Sequence, residues 1–362
     1  MGMTQDPASP STTALIVRGV ASAVAAEGRL TDAQRSLLGA VFDALLGVEI
    51  DISLEEIDPV SPEELADALA ESTVEDRWRV VHLMVLGELI LRPIPPAVAR
   101  TVAQYADALG VDDQFVRVAR RYAQGAFGLA WIDLHRSGFA EHWEAVRTDQ
   151  LKTAVRLPDQ LSGGVEDAEL AARWAAFEHL PDGTLGRSVW QMYHGRGFAL
   201  PGSPGGASAY LAQHDFVHVL ADYGTNLFGE LEVFAMIGRA DPEPKGFAWL
   251  TTLVGLFETG YVANAGFFTG DLQQRHLDGP GMHTRLADAL RRGRDLCNAL
   301  GTDLLEVDYH ELAELPLGDA RQRMAIPPKS KKAIEAGSPG VFDIVGMSRL
   351  QQEYAAALAD DT

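Results

Sequence analysis

The sequence contains a single cysteine, Cys297, in 362 residues. One thiol excludes an intramolecular disulfide framework and a cysteine-rich zinc site, and fits a reducing compartment. Metal chemistry, if present, must therefore use histidine and carboxylates. Basic charge is scarce as well: 30 Lys and Arg stand against 51 Asp and Glu, a formal net charge of −21. Binding a phosphate backbone needs a basic face that displaces counterions. No segregated basic patch is evident, so nucleic acid is not an expected partner. Long apolar runs are also missing. The run from Val80 to Leu91 spans only twelve residues, contains His82 and Glu88 and stops before Pro93, whereas a bilayer needs about 20. It reads as a buried core helix. Residues 1–12 lack the basic and apolar regions of a secretory signal and read as a disordered tail, so the expected location is cytoplasmic.

There is no alternating strand pattern and no repeat of solenoid period. Apolar residues instead recur at three and four spacing from residue 13 to about 146. Thr31 with Gln34, and Ser61 with Glu64, fit a capping box at a helix start, and Pro62 suits the first helical position. The polar stretch 150–165, ending in a Gly pair, reads as a linker. Beyond it, helices are expected over 166–180, 185–194, 208–222, 226–238, 246–260, 283–299 and 303–314, with Gly and Pro clusters between them. The fold class is therefore all-α, with two helical domains, at 13–150 and 155–330, and a C-terminal tail at 331–362. After Pro327, Lys329, Lys331 and Lys332 read as a solvated charged face, followed by loose chain.

The stretch that carries chemistry is 213–232, QHDFVHVLADYGTNLFGELE. His214 and His218 lie four apart, so on a helix both imidazoles leave one face a turn apart and can clamp a cation together. Asp215 is adjacent. Gly224 then interrupts the helix, and a second one beginning near Asn226 brings in Glu230. A turn is required, because along one unbroken helix Glu230 would stand about 18 Å from His218 at about 1.5 Å rise per residue. Two imidazoles with one or two carboxylates suit zinc or ferrous iron and not calcium. The plain alternative is a pair of core histidines with local hydrogen bonds.

H-D-x-x-H followed by eleven residues and Glu, closed by Thr225-Asn226-Leu227-Phe228-Gly229-Glu230, resembles the metal-binding signature of the fourth numbered protein family of ubiquinone (coenzyme Q) biosynthesis. LPDGTLGRSVWQMYHGRGF (180–198) and DLLEVDYHELAELPLGDARQRMAIPP (303–328) are similar to that family's flanking segments. The resemblance spans about 155–330. It implies a mostly helical protein binding a divalent metal, zinc ahead of iron, through His214, Asp215, His218 and Glu230. It further implies a prenylated lipid or quinone precursor as ligand, and peripheral association with the inner membrane face. Two roles go with it: organiser of biosynthetic proteins, as a homo-oligomer or in a complex, or enzyme of oxidative decarboxylation of a ring carboxylate. Trp190, Tyr193, Phe257 and Tyr261 are candidate walls of the lipid pocket, and Arg196 a candidate holder of phosphate or carboxylate. The N-terminal half resembles the TerB-type domain of the tellurite-resistance class through its helix–Glu27-Gly28–helix start, without that family's acidic metal pattern. The competing reading of the His-Asp pair is a metal-dependent phosphohydrolase, with His179 or His194 and Asp241 or Asp271 completing the shell, and a third is a non-catalytic helical scaffold. His276, His283 and His310 have no ligand spacing and are expected at the surface.

Overall fold

A computed structural model describes residues 10–46, 58–91, 94–111, 166–207, 209, 212–240, 277, 279–301 and 303–360. Among them the chain is all-α, with thirteen α-helices, three short 3-10 turns and no strand. The expected linker, the segment 247–268 with Phe257 and Tyr261, and Asp241, Asp271 and His276 lie outside the described residues.

Five helices come first: α1 (Pro10–Val24), α2 (Asp32–Leu46), α3 (Pro62–Ala68), α4 (Val74–Leu89) and α5 (Pro96–Ala108). The start of α2 is the capping box read from sequence. Thr31 N donates to Gln34 Oε1 at 2.9 Å, and Gln34 N donates to Thr31 Oγ1 at 3.2 Å. The same buried glutamine does more, because its Nε2 donates to Val24 O and Gly87 O, both at 2.9 Å. One side chain thus ties α1, α2 and α4 together. Ser61 caps α3 through Glu64 N at 3.1 Å, with Pro62 at the first position. In α4 every residue from Val80 to Leu89 is buried, as expected of an apolar helix in a core.

The remaining helices are α6 (Ala168–Ala175), α7 (Leu185–Arg196), α8 (Gln213–Ala221), α9 (Leu227–Ala240), α10 (Met282–Leu300), α11 (Leu317–Arg323), α12 (Lys331–Glu335) and α13 (Arg349–Asp360). The long α10 lies between α9 and α2. It meets α2 through an Arg291 Nη1–Asp43 Oδ2 ion pair at 2.6 Å and an Arg294 Nη1 bond to Ala44 O at 3.2 Å. The two halves of the chain contribute to one contiguous apolar core. Among the described residues no helix is long and apolar enough to cross a membrane.

Two expectations are corrected. No α-helix forms over 303–314, only a 3-10 turn at Tyr309–Leu312. Asp303 and Asp308 instead take the backbone N–H groups two residues on, Leu305 N at 2.8 Å and His310 N at 3.1 Å, a local alternative to the helical ladder. The segment after Pro327 is not loose chain, and of its lysines Lys331 and Lys332 are exposed as expected while Lys329 is not. Residues 331–360 carry two helices and a 3-10 turn, and α13 packs on α7. Lys329 Nζ reaches inward to the carbonyls of Asp222, Ser338 and Pro339.

Candidate metal centre

Helix α8 projects His214 and His218 from one face and buries the opposite side in an aromatic cluster, where Phe216 stacks on Tyr309 at 4.8 Å between ring centroids. The helix ends at Ala221, because Asp222 adopts the left-handed conformation with φ 62° and ψ 51°. Gly224 does not make the break, contrary to the sequence expectation. Its requirement is space: a Cβ there would stand 2.7 Å from the backbone of Gly346. Asn226 then caps α9, with its Oδ1 accepting from Gly229 N at 2.9 Å. The new helix presents Glu230 and, four residues on, Phe234 to the histidines.

The result is a convergent ligand set. His218 Nε2 lies 3.2 Å from Glu230 Oε1, and His214 Nε2 lies 3.5 Å from Glu230 Oε2. One ligand atom from each of His214, His218 and Glu230 fits within 4.8 Å of the others. Asp215 stands beside the group, its Oδ1 at 3.5 Å from His214 Nε2. Its other oxygen, Oδ2, accepts the Tyr193 hydroxyl at 2.5 Å. Phe234 stacks on His214 at 5.3 Å and 19°, fixing the ring plane. The His218 side chain is completely buried, Glu230 is 7% exposed and His214 is 12% exposed. The centre is therefore most open past His214.

Protonation bears on the fit to a cation. His218 Nδ1 lies 3.3 Å from the carbonyl oxygen of Tyr223. A carbonyl only accepts, so Nδ1 carries a proton and Nε2 is the ring nitrogen turned to the carboxylate, the atom that can offer a lone pair to a cation. His218 Nε2 and Glu230 Oε2 are buried without a hydrogen-bond partner. Polar atoms left unpartnered in a closed site are costly, and a proton or a cation held by the group would satisfy them. Burial pushes the Glu230 carboxyl up, but the charge of His218, with His214 adding to it, outweighs burial and holds it at about 2. The group is thus a carboxylate throughout the neutral range, the state that a metal needs.

Tyr193 is held protonated. Burial, the Asp215 charge and the bond to Asp215 all raise its phenol well above the ordinary value. It therefore donates to Asp215 and leaves Oδ1 as the oxygen on the histidine side. If the group holds zinc, Tyr193→Phe is expected to weaken its binding by about 10-fold, at the low end for loss of an outer-shell partner, and in either case to destabilise the protein by about 1 kcal/mol. Zinc titration against a chromophoric chelator measures the first, and an unchanged affinity would remove Tyr193 from this role.

The other expected pocket residues are engaged differently. Arg196 is buried and donates from Nε to Thr225 Oγ1 at 2.7 Å, and from its terminal nitrogens to Met192 O and Val341 O. Its guanidinium serves the fold and is not free to hold a phosphate or carboxylate. Burial lowers it to about 10, against the opposing charge of Asp215. The half-buried Trp190 stacks on exposed His194 at 4.8 Å, with Arg187 over its ring at 4.6 Å. Neither His194 nor the exposed His179 joins the ligand group.

His310, expected at the surface, packs against Trp174, Phe177 and Phe216. Burial, helped by Arg173 and opposed by Asp308, lowers its imidazole from 6.5 to about 4. Between those values the unfolded ring takes a proton that the folded ring refuses. This contribution to stability is full above pH 6.5 and is lost as the pH falls towards 4. His310→Phe is expected to flatten the acid limb of the unfolding free energy over that interval. Urea melts at stepped pH test it, and the same acid slope in both proteins would contradict it.

The signals missed by sequence reasoning are the partners that come from far along the chain. Tyr193 was visible only as an aromatic, and nothing near the motif points to Val341, Gly346 or Gln351. Compared with family models, curated proteins and solved structures, the chain matches none.

Proposed function

We propose that the protein binds a divalent cation, zinc ahead of iron, through His214, His218 and Glu230 with Asp215 alongside, and acts on a prenylated aromatic acid. The observation that carries this reading is the inward pair of partnerless acceptors, His218 Nε2 and Glu230 Oε2, inside a ligand group compact enough for one ion. The substrate class rests on the resemblance of 155–330 to the quinone-biosynthesis family. A cation held there supplies Lewis-acid polarisation of a ring carboxylate or a redox centre.

The chain's own residues have separate tasks in this reading. His218 and Glu230 form the closed side of the centre, and the Tyr223 carbonyl keeps His218 in the ligating tautomer. Phe234 holds the His214 ring, which flanks the open side where a substrate carboxylate enters. Asp215, oriented by Tyr193, adds the second negative charge that balances a dication. The reaction in this reading is loss of the ring carboxyl, on a protein that associates peripherally with a membrane.

The test is joint identification of metal and small molecule in purified protein. About one zinc or iron per chain, an extractable isoprenoid, and carbon dioxide released from a prenylated hydroxybenzoate are expected. Absence of stoichiometric metal overturns the reading. Metal and isoprenoid without carbon dioxide release would instead favour the organiser role.

A further inference from the structure

The turn 222–226 sets the distance between the histidines of α8 and Glu230 of α9, and its polar groups are satisfied from elsewhere in the chain. Gly346 O accepts from both Thr225 N at 2.7 Å and Asn226 N at 2.8 Å. Val341 N donates to Asp222 Oδ1 at 3.0 Å, and Asn226 Nδ2 donates to Val345 O at 3.0 Å. Thr225 Oγ1 donates to Gln351 Oε1 at 2.8 Å, and Gln351 Nε2 donates to Thr225 O at 3.3 Å. Two cations complete the frame. Arg196 bridges Thr225 Oγ1 and Val341 O, and Lys329 bridges Asp222 O and the carbonyls of Ser338 and Pro339. Contact is close enough to exclude side chains, since a Cβ on Gly346 would stand 3.0 Å from Gly224 Cα.

This segment does little to build the core. Val341 is buried, but Phe342, Ile344 and Val345 are 48%, 69% and 75% exposed. It is held by hydrogen bonds to one turn rather than by burial, which distinguishes it from ordinary packing.

We infer that residues 338–351 form a strap that sets the geometry of the candidate metal centre, with Gly346, Gln351, Arg196 and Lys329 as positioning residues. The effect on metal rests on the function proposed above; the strap's grip on the turn does not. Without it, the Thr225 and Asn226 amides lose their acceptor, the turn gains conformational freedom, and the carboxylate is no longer pre-set against the imidazoles. Outer-shell support of this kind is worth about 10–100-fold in metal affinity.

The test uses full-length protein and three variants. In Gln351→Ala the strap loses its side-chain hold on Thr225. In Gly346→Val a side chain is wedged between strap and turn. Ser348→Ala removes the cap that Ser348 Oγ provides to Gln351 N at 3.3 Å, and leaves the turn contacts in place. Zinc affinity, the visible spectrum of the cobalt-loaded protein, and amide hydrogen exchange at Thr225 and Asn226 are read for each. Gln351→Ala and Gly346→Val are expected to bind zinc about 10-fold more weakly or worse, with altered cobalt bands and faster exchange at both amides, while Ser348→Ala matches the unaltered protein. If Gly346→Val does not fold, Lys329→Met replaces it with the same expectation. Zinc affinity within about 2-fold and identical cobalt spectra in both strap variants would overturn the inference. Should the unaltered protein bind neither metal, the proposed function fails and exchange alone judges the strap. Faster exchange at Thr225 and Asn226 in the strap variants then upholds its grip on the turn, and unchanged exchange refutes it.

Discussion

His218→Ala is expected to abolish tight zinc binding while leaving the helical fold in place. The loss should exceed the about 10–100-fold typical of removing an outer-shell partner, because in the proposed centre His218 would be a direct ligand at the closed side of the group, where its side chain is fully buried. The effect has a thermal signature. A ligand that binds only the native state stabilises it by about 2.7 kcal/mol at a hundredfold excess over Kd, so zinc should raise the Tm of the unaltered protein and leave that of His218→Ala unmoved. The metal-free variant carries a second consequence. Burial already pushes the Glu230 carboxyl up, and the opposing His218 charge would be gone, so Glu230 should titrate at a higher pH. Stoichiometric zinc retained by His218→Ala would mean that the convergence of these side chains serves only packing.

Arg285→Met is expected to cost about 3–5 kcal/mol of stability, the range for breaking one side of a buried ion pair. Arg285 Nη2 lies 2.6 Å from Glu232 Oε2, and the Glu232 side chain is wholly buried. Its other oxygen, Oε1, already lacks a hydrogen-bond partner. Methionine would fill much of the volume and leave a carboxylate without its counter-charge. The double variant Arg285→Met/Glu232→Gln should recover most of the loss, since replacing both charges is far less costly than orphaning one. Urea unfolding reads both, and a single variant within about 1 kcal/mol of the unaltered protein would show that neighbouring cations already neutralise Glu232. The position matters for the centre, because Glu232 is two residues from Glu230 on α9. Steps of about 100° carry it to the far side of the helix, so α9 offers one carboxylate to the histidines and the other to α10.

Local signals in the chain were legible where a few neighbouring residues decide the outcome. Thr31 and Gln34 form their box because both partners lie within one turn, and Val80–Leu89 is buried because its apolar density leaves no other place for it. The four-residue spacing of His214 and His218 and the start of a second helix near Asn226 belong to the same class. The break between α8 and α9 was placed correctly but for the wrong reason. Asp222 supplies the left-handed residue, a conformation that Asp tolerates better than most, and Gly224 is needed for the approach of Gly346. The expected helix at 303–314 failed because Asp303 and Asp308 compete for the backbone. Lys329, Arg196 and His310 were misjudged for a shared cause. A long or amphipathic side chain can face water or the interior, and only its neighbours settle which.

By itself the sequence determined the all-α class, the exclusion of intramolecular disulfides and of a cysteine-rich zinc site, and the pairing of two imidazoles on one helical face. Each follows from composition or from periodicity within a turn or two. The tertiary structure decided the rest: that Glu230 meets the histidines at 3.2–3.5 Å, that Tyr193 takes one oxygen of Asp215, and that a segment more than a hundred residues downstream fastens the turn between the two helices. Those contacts depend on where helices cross and how closely two backbones approach. That information is carried by the packing of the whole chain, not by any local stretch of it.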